Sequence, residues 1–368
     1  MKKIISAFAL AAMVATAAFA ADPKISVQAR VKANLVTSYV DGDDDLYKDS
    51  GVTLPGDDTF GAEYKDETAG AKISLQGTLA SVYSNGSDKG PVTLYDYYGW
   101  MKFGALTVTA GEWEHRYISR VNADLSSFSG ICDLYYGPLV FNATKEGFVE
   151  TKYETDNITP WKTEFALDYA IGDAVISAST GNNSASAYNA AEFYGARVGY
   201  KIGETANVDA AFSMRGKDKM AVGLFAEILA IENLSVVAGY SGYLDNEVTE
   251  NSIHAMELRA RYVMDKFSFT SHNNFSFGDE SMILFDMFNV AYKLNDIVTP
   301  AIMVANTYVA GDNTSIVESD IITVRPGLTL SPRKGATIDA GCKLEYFSPK
   351  SGDGFTRVSV PVVFRVKF

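Results

Sequence analysis

The stretch Thr356–Phe368, TRVSVPVVFRVKF, decides how the rest of the chain is read. From Val358 every second residue is apolar: Val358, Val360, Val362, Phe364, Val366 and Phe368. Ser359, Pro361, Val363, Arg365 and Lys367 fill the alternate positions. A period of two with one oily and one mostly polar face marks a half-buried β-strand. The alternation runs to a terminal aromatic instead of fading, and an aromatic at a strand end suits a membrane interface.

The same alternation recurs along the chain. Lys24–Val40 sets Ile25, Val27, Ala29, Val31, Ala33 and Leu35 against Lys24, Ser26, Gln28, Arg30, Lys32 and Asn34. Ala71–Tyr83 sets Ile73, Leu75 and Leu79 against Lys72, Ser74, Gln76 and Thr78. Val92–Phe103 and Leu106–Trp113 form a tight hairpin about Gly104-Ala105. From Lys162 onward hairpins follow in series: 163–171 with 174–180, 190–202 with 208–215, 220–231 with 234–243, 253–264 with 267–277, 282–294 with 297–309, and 321–330 with 336–347. Short turns such as Gly172-Asp173 alternate with longer connections such as Gly181–Asn189 and Ala310–Ser319. This is the rhythm of a closed antiparallel transmembrane β-barrel, with short turns at one rim and long loops at the other. Leu134–Thr144 is read as one more strand and Phe148–Glu154 as a doubtful one, while Asp41–Ala69 is a loop with a short candidate strand at Thr59–Lys65. The expected count is about eighteen strands, with sixteen or twenty as alternatives.

One domain is expected: residues 21–368 as a single all-β transmembrane barrel, after residues 1–20 as a cleaved signal peptide. Lys2 and Lys3 precede an apolar run, and Ala18-Phe19-Ala20 offers the small-residue cleavage site. No stretch after it has eighteen uncharged apolar residues, so helical spans are not expected. Cys342 lies on the oily parity of its strand and Cys132 in a loop, so Cys342 reads as a small apolar wall residue rather than half of a bridge.

The polar faces carry charges that avoid the oily parity. These are Arg197 and Lys201, Arg215, then Glu257, Arg259 and Arg261, Arg325, and Asp339, Lys343 and Glu345. A Lys or Arg in the middle of the lipid face costs about 2–4 kcal/mol. If the sheet closes, these side chains line a wet interior. Aromatics near strand ends, among them Phe103, Tyr200, Phe277 and Phe347, are expected to form interfacial girdles.

The hairpin Tyr97-Tyr98-Gly99-Trp100-Met101-Lys102-Phe103-Gly104-Ala105-Leu106-Thr107-Val108-Thr109-Ala110-Gly111 resembles one in the general diffusion porins of bacterial outer membranes. The resemblance covers these fifteen residues and the terminal Phe, and departs from the family in placing Glu112 where an Arg is expected. It implies an outer-membrane porin, a water-filled channel for passive diffusion of small hydrophilic solutes and ions. It also implies that Tyr117–Asp133 folds inward as a constriction loop, bringing Asp124 and Asp133 towards a wall bearing Arg30, Lys32, Lys72 and Arg116. A homotrimer is implied in the same way, and Phe368 resembles the signal read by barrel assembly machinery.

Other functions are weakly supported. A net charge of −13 argues against nucleic acid. Asp41-Gly42-Asp43-Asp44-Asp45 begins like a calcium loop, but Leu46 and Val52 stand where Gly and Glu are needed, so a solvated acidic loop is expected and no metal. Among His115, His254 and His272 no catalytic spacing is found, so neither an enzyme nor a cofactor is expected. The alternative kept open is a surface adhesin or binding barrel with long acidic loops and no open pore.

Overall fold

The computed structural model describes residues 24–40, 51–53, 58–77, 93–113, 139–144, 147–152, 162–182, 194–214, 217–246, 252–278, 281–311 and 318–367. Residues 1–20, where a signal peptide is expected, and Arg116, Asp124, Asp133, Arg215 and Phe368 lie outside them. Among the described residues there are twenty-two strands, and no helix is long and apolar enough to cross a membrane.

The opening strand β1 (Lys24–Val40) pairs on one side with two short pieces, β2 (Gly51–Thr53) and β3 (Asp58–Lys65). Then come β4 (Ala69–Gly77), β5 (Thr93–Phe103) and β6 (Leu106–Trp113). β7 (Leu139–Thr144) and β8 (Gly147–Lys152) pair only with each other. β9 (Lys162–Ile171) and β10 (Ala174–Asn182) resume the wall, β9 pairing directly with β6. β11 (Tyr194–Ile202), β12 (Ala206–Met214), β13 (Lys219–Ile228), β14 (Leu234–Asp245), β15 (Ile253–Met264) and β16 (Phe267–Gly278) continue it. β17 (Ser281–Tyr292), β18 (Val298–Gly311) and β19 (Ser319–Arg333) follow. β20 (Ala336–Gly341) and β21 (Lys343–Pro349) share the same two neighbours, β19 and the last strand β22 (Phe355–Lys367).

Every pairing is antiparallel, and β22 returns to β1. The twenty strands of the main sheet therefore close on themselves. Counting β2 with β3 and β20 with β21 as single interrupted staves, the circuit passes through eighteen.

Two expectations about membership change. The strand expected over Leu134–Thr144 is not a stave over its described residues: β7 makes a local hairpin with β8 outside the main sheet. One added stave there would turn the Gly172-Asp173 turn to the long-loop rim, and the antiparallel alternation forbids it. Conversely β3, within a stretch read mainly as loop, is a true stave. Without it β1 and β4 would be neighbours running the same way.

The short turns gather at one rim. Gly104 (φ 61°), Gly172 (φ 57°), Asn233 (φ 61°) and Asp265 (φ 51°) supply the left-handed residues that tight hairpins require. The closing seam absorbs a proline in a specific way. Pro361 faces Asn34, where β1 slips register between Asn34 and Thr37. A bulge already breaks the ladder there, so the missing N–H falls where pairing is interrupted.

The two faces are inverted relative to a water-soluble protein. Leu167, Val198, Leu224, Leu258, Phe288, Ile302, Ile322 and Phe364 are exposed on the outside. Ser177, Arg259, His272, Asn274, Thr323, Arg325, Asp339 and Glu345 are buried on the inside. Among the described residues the outer surface is predominantly apolar, which has no place in water and matches a hydrocarbon surround. Outward rings flank it, including Tyr169, Tyr200, Tyr262 and Phe267 towards the short turns, and the Tyr194–Phe212 pair (6.2 Å between centroids) towards the loops. Phe347 is a correction: it points inward, is buried, and packs at a tilt against Phe355 with 4.8 Å between ring centroids. Its parity follows Glu345 rather than Leu344.

Candidate functional site

The candidate site is the inner wall, and its chemistry follows from register. In an antiparallel ladder directly opposed residues share a face, so charges far apart in sequence become neighbours. On β15 Arg259 is buried and Arg261 half-buried, and Arg261 Nε donates to Ser268 Oγ on β16 at 3.1 Å. Arg325 on β19 is fully buried and faces Met303 across the ladder. Nearby, Thr329 Oγ1 donates to Asp339 Oδ1 at 2.6 Å.

Towards the seam the wall holds a three-membered ion cluster. Lys343 Nζ lies 2.5 Å from Glu345 Oε1, and Arg357 Nε donates to Glu345 Oε2 at 2.6 Å. Glu345 is buried, which a carboxylate tolerates only when paired. The described inner side chains of β15 to β22 thus include Arg259, Arg261, Arg325, Lys343 and Arg357 against Asp339 and Glu345. Cations outnumber carboxylates on that sector. Apolar side chains interrupt them: Ile283, Phe285 and Met287 on β17, Met303 on β18 and Val363 on β22 are buried on the same face.

The opposite sector is more balanced. Arg197 on β11 clasps Asp209 on β12 through Nε at 2.8 Å and through Nη2. Glycine at 199 makes room for this pair, since a Cβ there would sit 2.7 Å from Asp209 Oδ1. Asn207 Nδ2 donates to Glu227 Oε2 at 2.8 Å, and Ser177 Oγ to Asp168 Oδ1 at 2.5 Å. Lys72 on β4 is half-buried and in register with Glu63 and Tyr98.

The expected wall residues are therefore not one cluster. Arg197 sits in one sector, while Arg259, Arg261, Arg325 and Lys343 share another. Arg30 and Lys32 lie on β1 in register with Arg365 and Val363, and Glu257 is in register with Gly239 and Asn274. Arg357 and Asp209 carry no distinctive signal in the sequence, because their importance comes from a partner on the next strand. Cys342 is a free thiol between β20 and β21. Among the described residues no group of His, Cys, Asp and Glu is placed to hold a metal ion.

A closed antiparallel wall, oily outside and charged inside, is now complete. No protein-family model matches the chain, and no curated protein matches its sequence. Solved structures do match. OpdG (OccK9) of Pseudomonas aeruginosa aligns at a TM-score of 0.56 with 9% identity, covering 94% of this chain and 99% of that one. OpdQ of the same species gives 0.55 and 10%, covering 94% and 98%. The outer membrane protein OpdK of the same species gives 0.51 and 10%, covering 94% and 99%. The fold is that of an outer-membrane porin. A porin fold at such low identity preserves the wall and its inside-out polarity while leaving the lumenal residues to vary. What passes through has to be argued from the charges just described.

Proposed function

We propose that this chain is a channel of the bacterial outer membrane that lets small hydrophilic solutes and ions diffuse passively. The observation that carries the reading is the lumenal sector with Arg259, Arg261, Arg325, Lys343 and Arg357 against Asp339 and Glu345. Paired charges keep water in the lumen, and the cation excess favours anionic solutes. OpdK has also been solved with vanillate, a small aromatic carboxylate, and aligns with this chain at a TM-score of 0.52 and 10% identity. A solute of that chemistry suits a wall where guanidinium groups lie among Phe285, Met287 and Met303.

Tyr117–Asp133 is proposed as an inward loop that narrows the pore, with Asp124 and Asp133 facing Arg30, Lys32, Lys72 and Arg116. Phe368 is proposed as the residue read by barrel assembly machinery after removal of residues 1–20. Discrete conductance steps in a planar bilayer test the channel reading, and reversal potentials in a salt gradient test its selectivity. Anion preference is expected. A barrel that inserts but stays closed would favour the adhesin reading instead. Asp124→Asn with Asp133→Asn should change conductance if the loop lies in the pore, and unchanged behaviour would remove the loop from the proposal.

A further inference from the structure

Among the described residues the outer face carries polar side chains in more than one place, and two of these places satisfy themselves. The Tyr240 hydroxyl and His254 Nδ1 lie 2.8 Å apart, and the His254 ring stacks on Phe277 with 5.1 Å between centroids. Near the loop rim Tyr308 Oη donates to Glu318 Oε1 at 2.9 Å, and Lys350 Nζ to Glu318 Oε2 at 2.6 Å. The groove that runs outward from β16 to β21 is different. Asp286 stands between Leu284 and Phe288 on the outward row of β17, in register with Asn273 on β16 and Asn306 on β18. Asn273 Nδ2 donates to Asp286 Oδ1 at 2.7 Å, and Ser271 Oγ donates to Asn273 Oδ1 at 3.1 Å. Asn306 Oδ1 is buried with no donor to accept from. Asp320, at the loop end of β19, faces Tyr308 and Ser348. Among the described residues no Lys or Arg pairs with Asp286 or Asp320. Both carboxylates line this groove of about 680 Å³, whose apolar walls are Phe288, Val304, Ile322 and Tyr346.

The deep end of the groove is not part of a water-facing rim. Asp286 stands six residues before Tyr292. At a rise of ~3.3 Å per residue and a tilt of ~40°, that is about 15 Å up an apolar band roughly 25 Å tall. The shallow end, at Asp320 and Ser348, opens where β19 and β21 meet their loops. The groove therefore leads from the outer edge of the membrane to its middle, with an unpaired carboxylate at each end. Acyl chains offer Asp286 and Asn306 nothing, and an ionisable group at this depth calls for a partner.

Resting on the reading of this chain as a membrane-spanning barrel, and on no property of its lumen, we infer that the groove is a binding site for a cationic amphiphile, a primary ammonium carried on an alkyl chain. An ammonium group has three donors and no acceptor, which is what a buried amide oxygen beside a carboxylate lacks. It can donate to Asn306 Oδ1 and to Asp286 together, and hydrogen bonds between ionised partners are the strong ones. Asp320 sets a second negative charge at the outer end, where a cation arriving from outside first meets the groove. The alkyl chain covers Phe288, Val304 and Ile322, each about half exposed. Other occupants fit worse. A lipid phosphate would meet two carboxylates and bring no donor. A second copy of this chain would bring no cation, because the described outward residues in the middle of its strands include no Lys or Arg. A bare hydrocarbon chain would leave Asn306 Oδ1 without a donor.

The test uses the full-length protein in a neutral detergent, with Cys132→Ser and Cys342→Ser as background. Val304→Cys places a thiol in the groove, and Leu224→Cys places one on the distant strand β13. Dodecylammonium is the ligand, and the rate of modification by methyl methanethiosulfonate is the readout. Dodecylammonium should slow modification of Val304→Cys and leave Leu224→Cys unchanged. Dodecyltrimethylammonium, which has the charge but no N–H, should protect less, and dodecanol should not protect. Asp286→Asn and Asn306→Leu should each raise the dodecylammonium concentration needed for half-protection by about tenfold, the fold-change of one hydrogen bond to a charged group. Native mass measurement should find the amine on the protein with Val304 intact and lose it in Asp286→Asn. Equal protection by dodecanol, protection that survives Asp286→Asn, or a Val304→Cys thiol that never reacts because another chain covers it would each overturn the inference. Bilayer conductance is read separately: open steps without amine binding remove the site and leave the channel standing, and amine binding to a closed barrel does the reverse.

Discussion

Arg357 and Glu345 meet at 2.6 Å across the β21–β22 ladder, and Lys343 reaches the same carboxylate from its own strand. The contact ties the last stave to the one before it inside the wall, one ladder away from the closing seam. Removing the carboxylate leaves two cations in a buried place. Glu345→Ala should destabilise the barrel by about 3–5 kcal/mol. Urea unfolding in detergent reads this as a lower midpoint. Reversal potentials should move further towards anions in the same variant, and movement towards cations would count against the lumenal placement of the cluster.

Gly199 stands where the Arg197–Asp209 pair needs space. A methyl group at this position would lie 2.7 Å from Asp209 Oδ1. Gly199→Ala should therefore push the Asp209 carboxylate aside and weaken its pairing with Arg197, costing about 1 kcal/mol or less. Adding Asp209→Gly to it should recover part of the packing loss but leave Arg197 without its carboxylate. A double variant as stable as the parent would show that the pair contributes nothing.

Asp66 lies in the turn between β3 and β4, outside the spanning segments. Its carboxylate accepts from the Tyr64 hydroxyl at 2.5 Å, and from the amides of Thr68 at 2.6 Å and Ala69 at 2.8 Å. These bonds, the Tyr64 hydroxyl first, hold its pKa well below the usual carboxylate range. A lowered folded-state pKa stabilises the fold above the unfolded value of ~3.9, and that contribution is lost as pH falls towards the folded value. Urea midpoints of the parent should drop on acidification from about pH 5 to pH 2 more than those of Asp66→Asn. Equal slopes would mean that the turn does not carry this linkage.

Pro361 faces the bulge in β1, so its ring should matter little to the ladder. Pro361→Ala is expected to change stability by about 0.4–1 kcal/mol, mostly through the freer unfolded chain. Val363→Pro, two residues on and paired on both sides with Lys32 and Asp339, should block assembly. Heat-modifiable migration on gels distinguishes folded from unfolded barrel in both cases.

Deleting Phe368 should lower the amount of assembled barrel more than the conductance of molecules already inserted. Surface levels of the truncated protein, compared with single-channel steps, check this. Normal surface levels would show that the terminal ring is not read during assembly.

Alternation in the sequence by itself determined that this chain is an antiparallel barrel with an oily outside. A period of two is a local property, and it survives without knowledge of any partner strand. It placed Arg197, Arg259, Arg261, Arg325 and Lys343 on the inner parity, and it could have exposed Asp286 as the charge out of step between Leu284 and Phe288. The tertiary structure decided the rest, because register joins residues that alternation cannot connect. It made β3 a stave and β7 part of a separate hairpin, and set Pro361 against a bulge. It also brought Arg357 to Glu345, Arg197 to Asp209, and Asn273 to Asp286. Each of those pairs spans two strands, and only the alignment of one strand against the next fixes which side chains meet.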